Sequence, residues 1–345
     1  MTDAPVLIRR EGRAGRITLN RAGALHALNK EMCEIMISAL QDWRNDASVE
    51  LVLIDHAEGT RGFCAGGDVL LLSESGKTDG KAGADFFAVE YQLNTLISEY
   101  PKPYVALMDG ITMGGGVGIS VHGTHRVATE RTIFAMPETG IGLIPDVGGG
   151  YFLPRLAGEL GTWLALTGAR LKGNDVLAAG IATHYCDSAA LGELSKAICT
   201  DGLSALNGLK TKATGSFEAH TEELDLLFKG DSVEYIVDAL NTGSDWAKAQ
   251  AETLASKSPL SMKLSLRQVR EGGSASFREV MEMEYRIASR LIKTDNFQEG
   301  VRAVLVDRDN APNWSPSPLS AISEGEIDAF FAPLESGPLT FLETN

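Results

Sequence analysis

Residues 102–118 read KPYVALMDGITMGGGVG and residues 134–150 read FAMPETGIGLIPDVGGG. The apolar run at 104–108 predicts a buried strand, which a glycine cluster follows directly. Two carboxylic acids, Glu138 and Asp146, lie close to the glycines of the second segment. Glycine clusters beside carboxylic acids indicate a site where main-chain N–H groups approach a ligand closely. The rest of the chain is predicted to support or cover that place.

Length and charge limit the protein class. The chain has 345 residues, enough for one large domain or a domain with an appendage. Its net charge of −15 argues against a broad nucleic-acid-binding surface, which needs a basic field. A small anionic ligand stays compatible with this charge, because a few local cations and helix N-termini can hold phosphates.

The cysteines and the apolar runs bear on location. Cys33, Cys64, Cys186 and Cys199 show no C-x-x-C spacing, which favours free thiols in a reducing compartment. The N-terminal residues lack the apolar core of a signal peptide. No uncharged apolar run reaches the roughly 18 residues of a membrane-spanning helix. These features predict a soluble cytoplasmic protein that binds no membrane.

Strands alternate with helices up to about residue 200, and helices follow, which indicates an α/β class with parallel pairing. Strands are predicted at 6–9, 16–19, 51–55, 104–108, 126–128 and 133–135. Helices are predicted at 27–43, 84–100, 117–121, 158–167, 174–179, 218–227, 232–240, 244–256, 259–271 and 276–292. Residues 76–83 are predicted to form an exposed loop, and the last 35 residues to be turn-rich.

Several common motifs are absent. Gly76-Lys77-Thr78 lacks the upstream glycine of a phosphate-binding loop, and no dinucleotide fingerprint occurs between 110 and 121. Ser120 has His122 where a nucleophile elbow needs glycine. His122 and His125 have no third metal ligand nearby in the sequence, so a structural role is favoured over a metal site.

The glycine pairs support two interpretations. Gly66-Gly67 and Gly114-Gly115-Gly116 each follow a predicted strand and can each supply an N–H group to one oxyanion. Tight turns with close strand–helix packing are the alternative. Glu138 lies in an apolar neighbourhood that would raise its pKa and suit it to proton transfer, unless it is only a carboxylate at a helix N-terminus. On local evidence Asp146 is a turn-capping aspartate.

Taken together, these segments resemble the crotonase (enoyl-CoA hydratase/isomerase) superfamily. The resemblance rests on residues 63–68, 110–116, 136–138 and 144–155, and continues through 283–286 and 297–303. It implies a spiral of ββα repeats. Residues 1–200 would form an α/β core with the active site, and residues 201–345 a helical region that covers the core and the acyl-CoA pocket.

The resemblance also implies roles for individual residues. An acyl-CoA thioester would be held with its carbonyl oxygen between the N–H groups of Gly67 and Gly115. Glu138 would be the catalytic carboxylate and Asp146 its partner. Glu90 would contact the acyl end, and Ala65, Asp68 and residues 24–28 would lie at the CoA nucleotide. No cofactor and no metal are expected, and a homo-oligomer is left open, since many relatives are trimers or hexamers.

One departure from the family pattern separates its activities. Hydratases of this superfamily carry a second glutamate three residues after the oxyanion glycine, where this chain has Gly118. Asp146 stands where hydratases usually have glycine. The resemblance therefore favours the branch that hydrolyses the thioester of 3-hydroxyisobutyryl-CoA, a step of valine breakdown. The alternatives are a hydratase or isomerase of the same fold and a non-catalytic acyl-CoA-binding protein.

Overall fold

The computed structural model describes residues 4–342. Its strands are β1 Val6–Glu11, β2 Ala14–Leu19, β3 Leu51–His56, β4 Gly62–Cys64, β5 Tyr104–Met108, β6 Ile111–Met113, β7 His125–Ala128, β8 Ile133–Ala135, β9 Leu171–Lys172 and β10 His184–Tyr185. Its helices are α1 Lys30–Arg44, α2 Val69–Gly76, α3 Lys81–Ser98, α4 Gly115–Gly118, α5 Gly149–Phe152, α6 Leu160–Thr167, α7 Asn174–Ala178, α8 Leu191–Asp201, α9 Thr221–Leu227, α10 Val233–Asn241, α11 Asp245–Ala255, α12 Pro259–Gly272, α13 Phe277–Leu291, α14 Asp295–Val301 and α15 Glu324–Phe331.

Consecutive strands divide between two sheets. The larger sheet has the order β1-β2-β3-β5-β7-β10, and the smaller sheet has the order β4-β6-β8-β9. β3, β5 and β7 pair in parallel in the larger sheet, and β4, β6 and β8 pair in parallel in the smaller one. Each turn of the chain thus adds one strand to each sheet. This is the predicted spiral of ββα repeats, and the α/β class is confirmed.

The loop predicted at 76–83 is present but shorter than expected, and its residues 77–79 are exposed. α2 continues to Gly76 and α3 begins at Lys81, so only four residues connect them. The two outer glycines reflect close packing instead of an exposed turn. A Cβ on Gly76 would lie 1.8 Å from the carbonyl oxygen of Ile292, and one on Gly83 would lie 2.5 Å from the Ile292 side chain.

Two further predictions need correction. The helix expected at 117–121 is the short α4, which begins and ends earlier, although the segment is buried as expected. The C-terminal tail contains α15, which was predicted only as turns. Its first turn is a capping box, in which the Glu326 side chain accepts the Ser323 N–H and the Ser323 hydroxyl accepts the Glu326 N–H.

The C-terminal helices pack onto the α/β part. α9 to α13 lie close to the predicted ranges, and Ser258 caps α12 as the sequence indicates. α13 packs along α3, and one continuous apolar core contains residues from both sides of residue 200. The division into 1–200 and 201–345 stays a prediction.

All four cysteines are free and buried. The Cys64 Sγ donates to the carbonyl oxygen of His26 at 3.1 Å, and burial raises the pKa of Cys64 to about 12. Burial likewise raises the pKa of Cys186 and of Cys199 to about 11. Within residues 4–342, no helix combines the length and the apolar character needed to cross a bilayer.

Candidate active site

Three neighbouring parallel strands carry the predicted oxyanion glycines and Glu138 at their carboxyl ends. β4 leads into Gly66 and Gly67, β6 leads into Gly114 and Gly115, and β8 leads into Glu138. Because β4, β6 and β8 are adjacent in one sheet, their carboxyl ends meet at one edge. The sheet order therefore brings together segments that lie far apart in the sequence.

The two glycine turns touch each other. A Cβ on Gly115 would lie 3.3 Å from the carbonyl carbon of Gly66, and 2.5 Å from the Glu90 Oε1. Gly66 and Gly114 have φ of +122° and +48°, values that side chains disfavour. Among the described residues, no carbonyl or side chain accepts the N–H of Gly67 or of Gly115. Both N–H groups remain available to an oxygen atom of a ligand, as an oxyanion hole requires.

Glu138 begins a short 3₁₀ helix directly beside this turn. A Cβ on Gly114 would lie 3.2 Å from the Glu138 Oε1, and the Glu138 Oε2 is buried without a hydrogen-bond partner in the described part of the chain. Burial raises the pKa of Glu138 well above its usual value, and the charge of Asp146 raises that pKa further. A carboxyl group with a raised pKa accepts a proton more readily than an exposed one, which suits it to proton transfer.

Asp146 lies in the loop that follows the 3₁₀ helix, and the residue is 5% exposed. The Tyr91 hydroxyl, from α3, donates to the Asp146 Oδ2 at 2.7 Å. Burial raises the pKa of Asp146 to about 6, while the hydrogen bond from Tyr91 opposes this rise. The side chain is held by a helix from another part of the chain, so its role goes beyond capping a local turn.

Glu90, one residue before Tyr91 on α3, is the third acid of the site. It is 2% exposed, and its Oε1 has no partner within residues 4–342. Burial and the charges of Asp146 and Glu138 raise the pKa of Glu90 well above its usual value. Because each charge disfavours ionisation of the other two groups, the three acids hold their protons more tightly than exposed carboxyl groups do, and they titrate as a coupled set.

A cavity of about 80 Å³ lies between these groups. Its wall is largely apolar, with the acids and the glycine backbone at one side; it includes Leu72, Phe86, Phe87, Met113, Ile141 and Leu143. Apolar walls with a few convergent polar groups are typical of a small-molecule site.

The residues predicted at the CoA nucleotide lie next to the first glycine turn. Ala65 lines the cavity, and the Leu28 N–H donates to the Gly66 carbonyl, so residues 24–28 run beside the turn. Asp68 caps α2 and forms an ion pair with Arg21 at 2.9 Å. Arg21, a candidate for a CoA phosphate contact, therefore has part of its charge neutralised by Asp68.

Sequence reasoning missed two side chains that hold the site, Tyr91 and Glu284. Tyr91 binds Asp146, and Glu284 accepts backbone N–H groups of the Asp146 loop. The His122 Nε2 donates to the carbonyl of Val147 at 2.7 Å, in agreement with the structural role predicted for it. Tyr91 lies one residue after Glu90 on α3, which was the available signal. Glu284 lies in the segment 283–286 that contributes to the family resemblance, but the sequence assigned it no role.

The spiral fold, with two glycine turns beside buried acids, is the arrangement that the resemblance to the crotonase superfamily implies. The family model described as "Enoyl-CoA hydratase/isomerase" matches residues 14–331, and the chain belongs to this family. It is 48% identical to "3-hydroxyisobutyryl-CoA hydrolase, mitochondrial" of Danio rerio, over 97% of this chain and 91% of that protein. The protein of the same name from Gallus gallus is 46% identical over 97% of this chain and 91% of its own length.

A solved structure is similar throughout. The carnitinyl-CoA dehydratase from Mycobacterium thermoresistibile superposes with a TM-score of 0.94 at 40% identity, covering 98% of this chain and 99% of that one. The relatives also correct one prediction. Those from Danio rerio, Gallus gallus and Homo sapiens are named mitochondrial, which contradicts the expected cytoplasmic location and points to the mitochondrion.

Proposed function

We propose that the protein hydrolyses an acyl-CoA thioester, with 3-hydroxyisobutyryl-CoA as substrate, to give the free acid and CoA. The observation that carries this proposal is Glu138, buried beside the two free N–H groups of Gly67 and Gly115. The names of relatives 46–48% identical over nearly the whole chain support the substrate. The small, mainly apolar cavity favours a short acyl group. Valine breakdown is the pathway that this substrate implies.

In the proposed reaction the thioester oxygen accepts the N–H groups of Gly67 and Gly115. These donors stabilise the negative charge that develops when the carbonyl carbon is attacked; one such donor contributes about 2.7–4 kcal/mol to the transition state. The carboxylate of Glu138 either attacks that carbon and forms an anhydride, or removes a proton from the attacking water. The C–S bond then breaks, and the CoA thiolate takes up a proton.

Asp146 and Glu90 would hold the water or the hydroxyl group of the substrate. In the anhydride route, a water molecule then attacks the anhydride and regenerates Glu138. In the direct route, Glu138 passes its proton to the leaving thiolate. Both routes need only side chains and backbone of this chain, with CoA as part of the substrate.

The rival activity is addition or removal of water across a double bond. The solved structure named as a dehydratase is the reason to consider it. That chemistry in this family uses a second carboxylate at position 118. A Cβ on Gly118 would lie 2.7 Å from the Asn94 Nδ2 and 2.7 Å from the Val147 Cβ. Packing therefore leaves no room for a glutamate here, which supports hydrolysis over hydration.

The test is a panel of thioesters followed by the release of free CoA. Purified protein is offered 3-hydroxyisobutyryl-CoA and crotonyl-CoA side by side. We expect CoA release from the first and no hydration of the second. Turnover of crotonyl-CoA to the hydroxyacyl product would favour the hydratase, and acyl-CoA binding without turnover of any thioester would favour a binding protein.

The Glu138→Gln variant tests the assigned carboxylate. Its CoA release should fall by about 10²–10⁴-fold while substrate still binds, because the amide neither attacks nor accepts a proton. Near-normal turnover would contradict the assignment. In ¹⁸O-labelled water, a single turnover by the anhydride route can place label in Glu138, when water attacks the Glu138 carbonyl carbon of the anhydride. Direct attack by water on the thioester never labels Glu138, so label in Glu138 identifies the anhydride route.

A further inference from the structure

The turn that carries Asp146 has an unfavourable backbone conformation. Val147 has φ of +52°, in the left-handed region that a β-branched side chain strongly disfavours. Gly148, the next residue, has φ of +88°. Such a conformation persists only where surrounding contacts determine it, and it is concentrated at functional sites. The contacts that hold this turn are therefore expected to matter for the function of Asp146.

A buried carboxyl group from the C-terminal region provides these contacts. Glu284, on α13, is 0% exposed. Its Oε2 accepts the N–H of Gly148 at 2.7 Å, and its Oε1 accepts the N–H of Gly150 at 2.8 Å. The Gln268 Nε2, on α12, donates both to the Glu284 Oε1 and to the Pro145 carbonyl at 2.8 Å.

These hydrogen bonds hold the turn on both sides of Asp146. Gln268 fixes the residue before it, and Glu284 fixes the second and fourth residues after it. A carboxyl group suits this place because its two oxygens accept three N–H groups. A glutamine at position 284 would direct its own NH₂ at one of these donors, and a buried donor left unsatisfied is costly.

We propose that Glu284 is a positioning residue for hydrolysis, which holds the strained Asp146 turn so that the Asp146 carboxyl group stays opposite Glu138. The proposal rests on the proposed function, since that function assigns the roles of Asp146 and Glu138. Glu284 acts through the backbone and does not line the cavity. Tyr91 fixes the same carboxyl group from the other side, through its hydroxyl.

The test is a double-mutant cycle of Glu284→Gln and Asp146→Asn. We expect Glu284→Gln alone to lower kcat by about 10–10²-fold, because a small displacement of a reacting group has effects of this size. KM should change by less than about 3-fold, since the cavity walls stay in place. In the Asp146→Asn background, Glu284→Gln should add less than about 2-fold, because its effect passes through the group already removed.

The control is Glu279→Ala, which removes the capping-box carboxylate at the start of the same helix. It should lower the thermal stability of α13 and leave kcat unchanged. Three outcomes would overturn the proposal. They are a loss of kcat in Glu279→Ala equal to that in Glu284→Gln, multiplicative losses in the variant that combines Glu284→Gln with Asp146→Asn, and a normal kcat in Glu284→Gln.

Two further measurements separate the remaining outcomes. If Glu284→Gln does not fold, Gln268→Met removes the Gln268 hydrogen bonds to Pro145 and to Glu284, while keeping the hydrogen bonds between Glu284 and its two backbone partners. This variant should show a smaller loss of kcat at constant KM, and an unchanged kcat would overturn the proposal. Absence of thioester hydrolysis by the wild-type protein would instead contradict the proposed function itself.

Discussion

At the scale of single residues, the site depends on backbone positions where a side chain cannot be placed. Gly115 is the clearest example, because a Cβ there would lie 2.5 Å from the Glu90 Oε1. At Gly67 the nearest atom to a Cβ would be the edge of the Phe86 ring, at 3.2 Å. The two halves of the proposed oxyanion hole therefore differ in their tolerance of substitution.

Alanine substitution at these two glycines should reveal this difference. Gly115→Ala should lower kcat by about 10²–10³-fold, because the added methyl displaces either the N–H donor or Glu90. Gly67→Ala should lower kcat by a smaller factor, since the Phe86 ring can move by a few tenths of an ångström. Steady-state kinetics of CoA release measures both variants, and a larger loss for Gly67→Ala would contradict this picture.

The pH dependence reports the interaction between the acids. kcat/KM should rise with pH as Glu138 loses its proton. The negative charge of Asp146 is one cause of the raised pKa of Glu138, after burial. Asp146→Asn removes that charge and lowers the pKa of Glu138, so the acid limb of the kcat/KM profile should move to lower pH. Asp85→Asn, which removes an exposed carboxylate that pairs with Lys81, should leave the limb in place; a shift of the Asp146→Asn limb to higher pH would contradict the assignment.

The sequence predicted those residues whose signal is local. Glycine pairs after strands, and a glutamate after Met136-Pro137, stand out in the sequence. Glu284 does not, because its partner Gly148 lies 136 positions away and a glutamate on an amphipathic helix usually faces solvent. The left-handed conformation of Val147 is equally hidden, since valine gives no indication of it.

At the scale of elements, helix starts were easier to predict than glycine functions. Ser258-Pro259 marks the start of α12 correctly, since a capping serine before proline is a local signal. Gly76 and Gly83 were interpreted as loop residues, whereas they allow the end of α13 to approach α2 and α3 closely. Glycine occurs both in exposed loops and at close contacts between helices, and only the distant partner residue distinguishes the two.

Ser258 also has a second partner, which makes its removal costly. Its Oγ accepts the Ser261 N–H and donates to the buried Asn296 Oδ1 at 2.8 Å. Ser258→Ala should lower the free energy of unfolding by about 2–4 kcal/mol, the sum of a lost cap and an unsatisfied buried acceptor. Ser232→Ala, at the exposed start of α10, should cost about 1 kcal/mol because it loses the cap alone. Urea denaturation measures both, and equal losses would argue against the role of Asn296.

At the scale of the whole molecule, the helical region forms part of the active site's support. Tyr91, which holds Asp146, packs edge-on against Tyr285 of α13, and the apolar core continues from the sheets into the C-terminal helices. Resemblance to a family predicted the spiral, because the glycine and acid segments that carry the resemblance, such as residues 63–68 and 110–116, are visible in the sequence. It did not predict how the two regions interlock, since that depends on contacts between distant residues.

A fragment of residues 1–200 tests this interlocking. Without the C-terminal helices it should keep much of its secondary structure and lose fixed side-chain packing, because a large part of its core would face water. Near-UV circular dichroism should be weak, and should recover when a fragment of residues 201–345 is added. Cooperative unfolding and thioester hydrolysis by 1–200 alone would show that the α/β part is an independent domain.

The buried cysteines have a chemical consequence for a protein that handles thioesters. Acyl groups exchange readily between sulfur atoms, but only a thiolate attacks, and the pKa of about 12 keeps Cys64 protonated two residues before a glycine turn that would hold the substrate. The bound acyl group therefore meets no competing sulfur, and water remains its final acceptor. For the same reason, a thiol-detecting dye added to the folded protein should record the CoA released by turnover and not the protein's own cysteines.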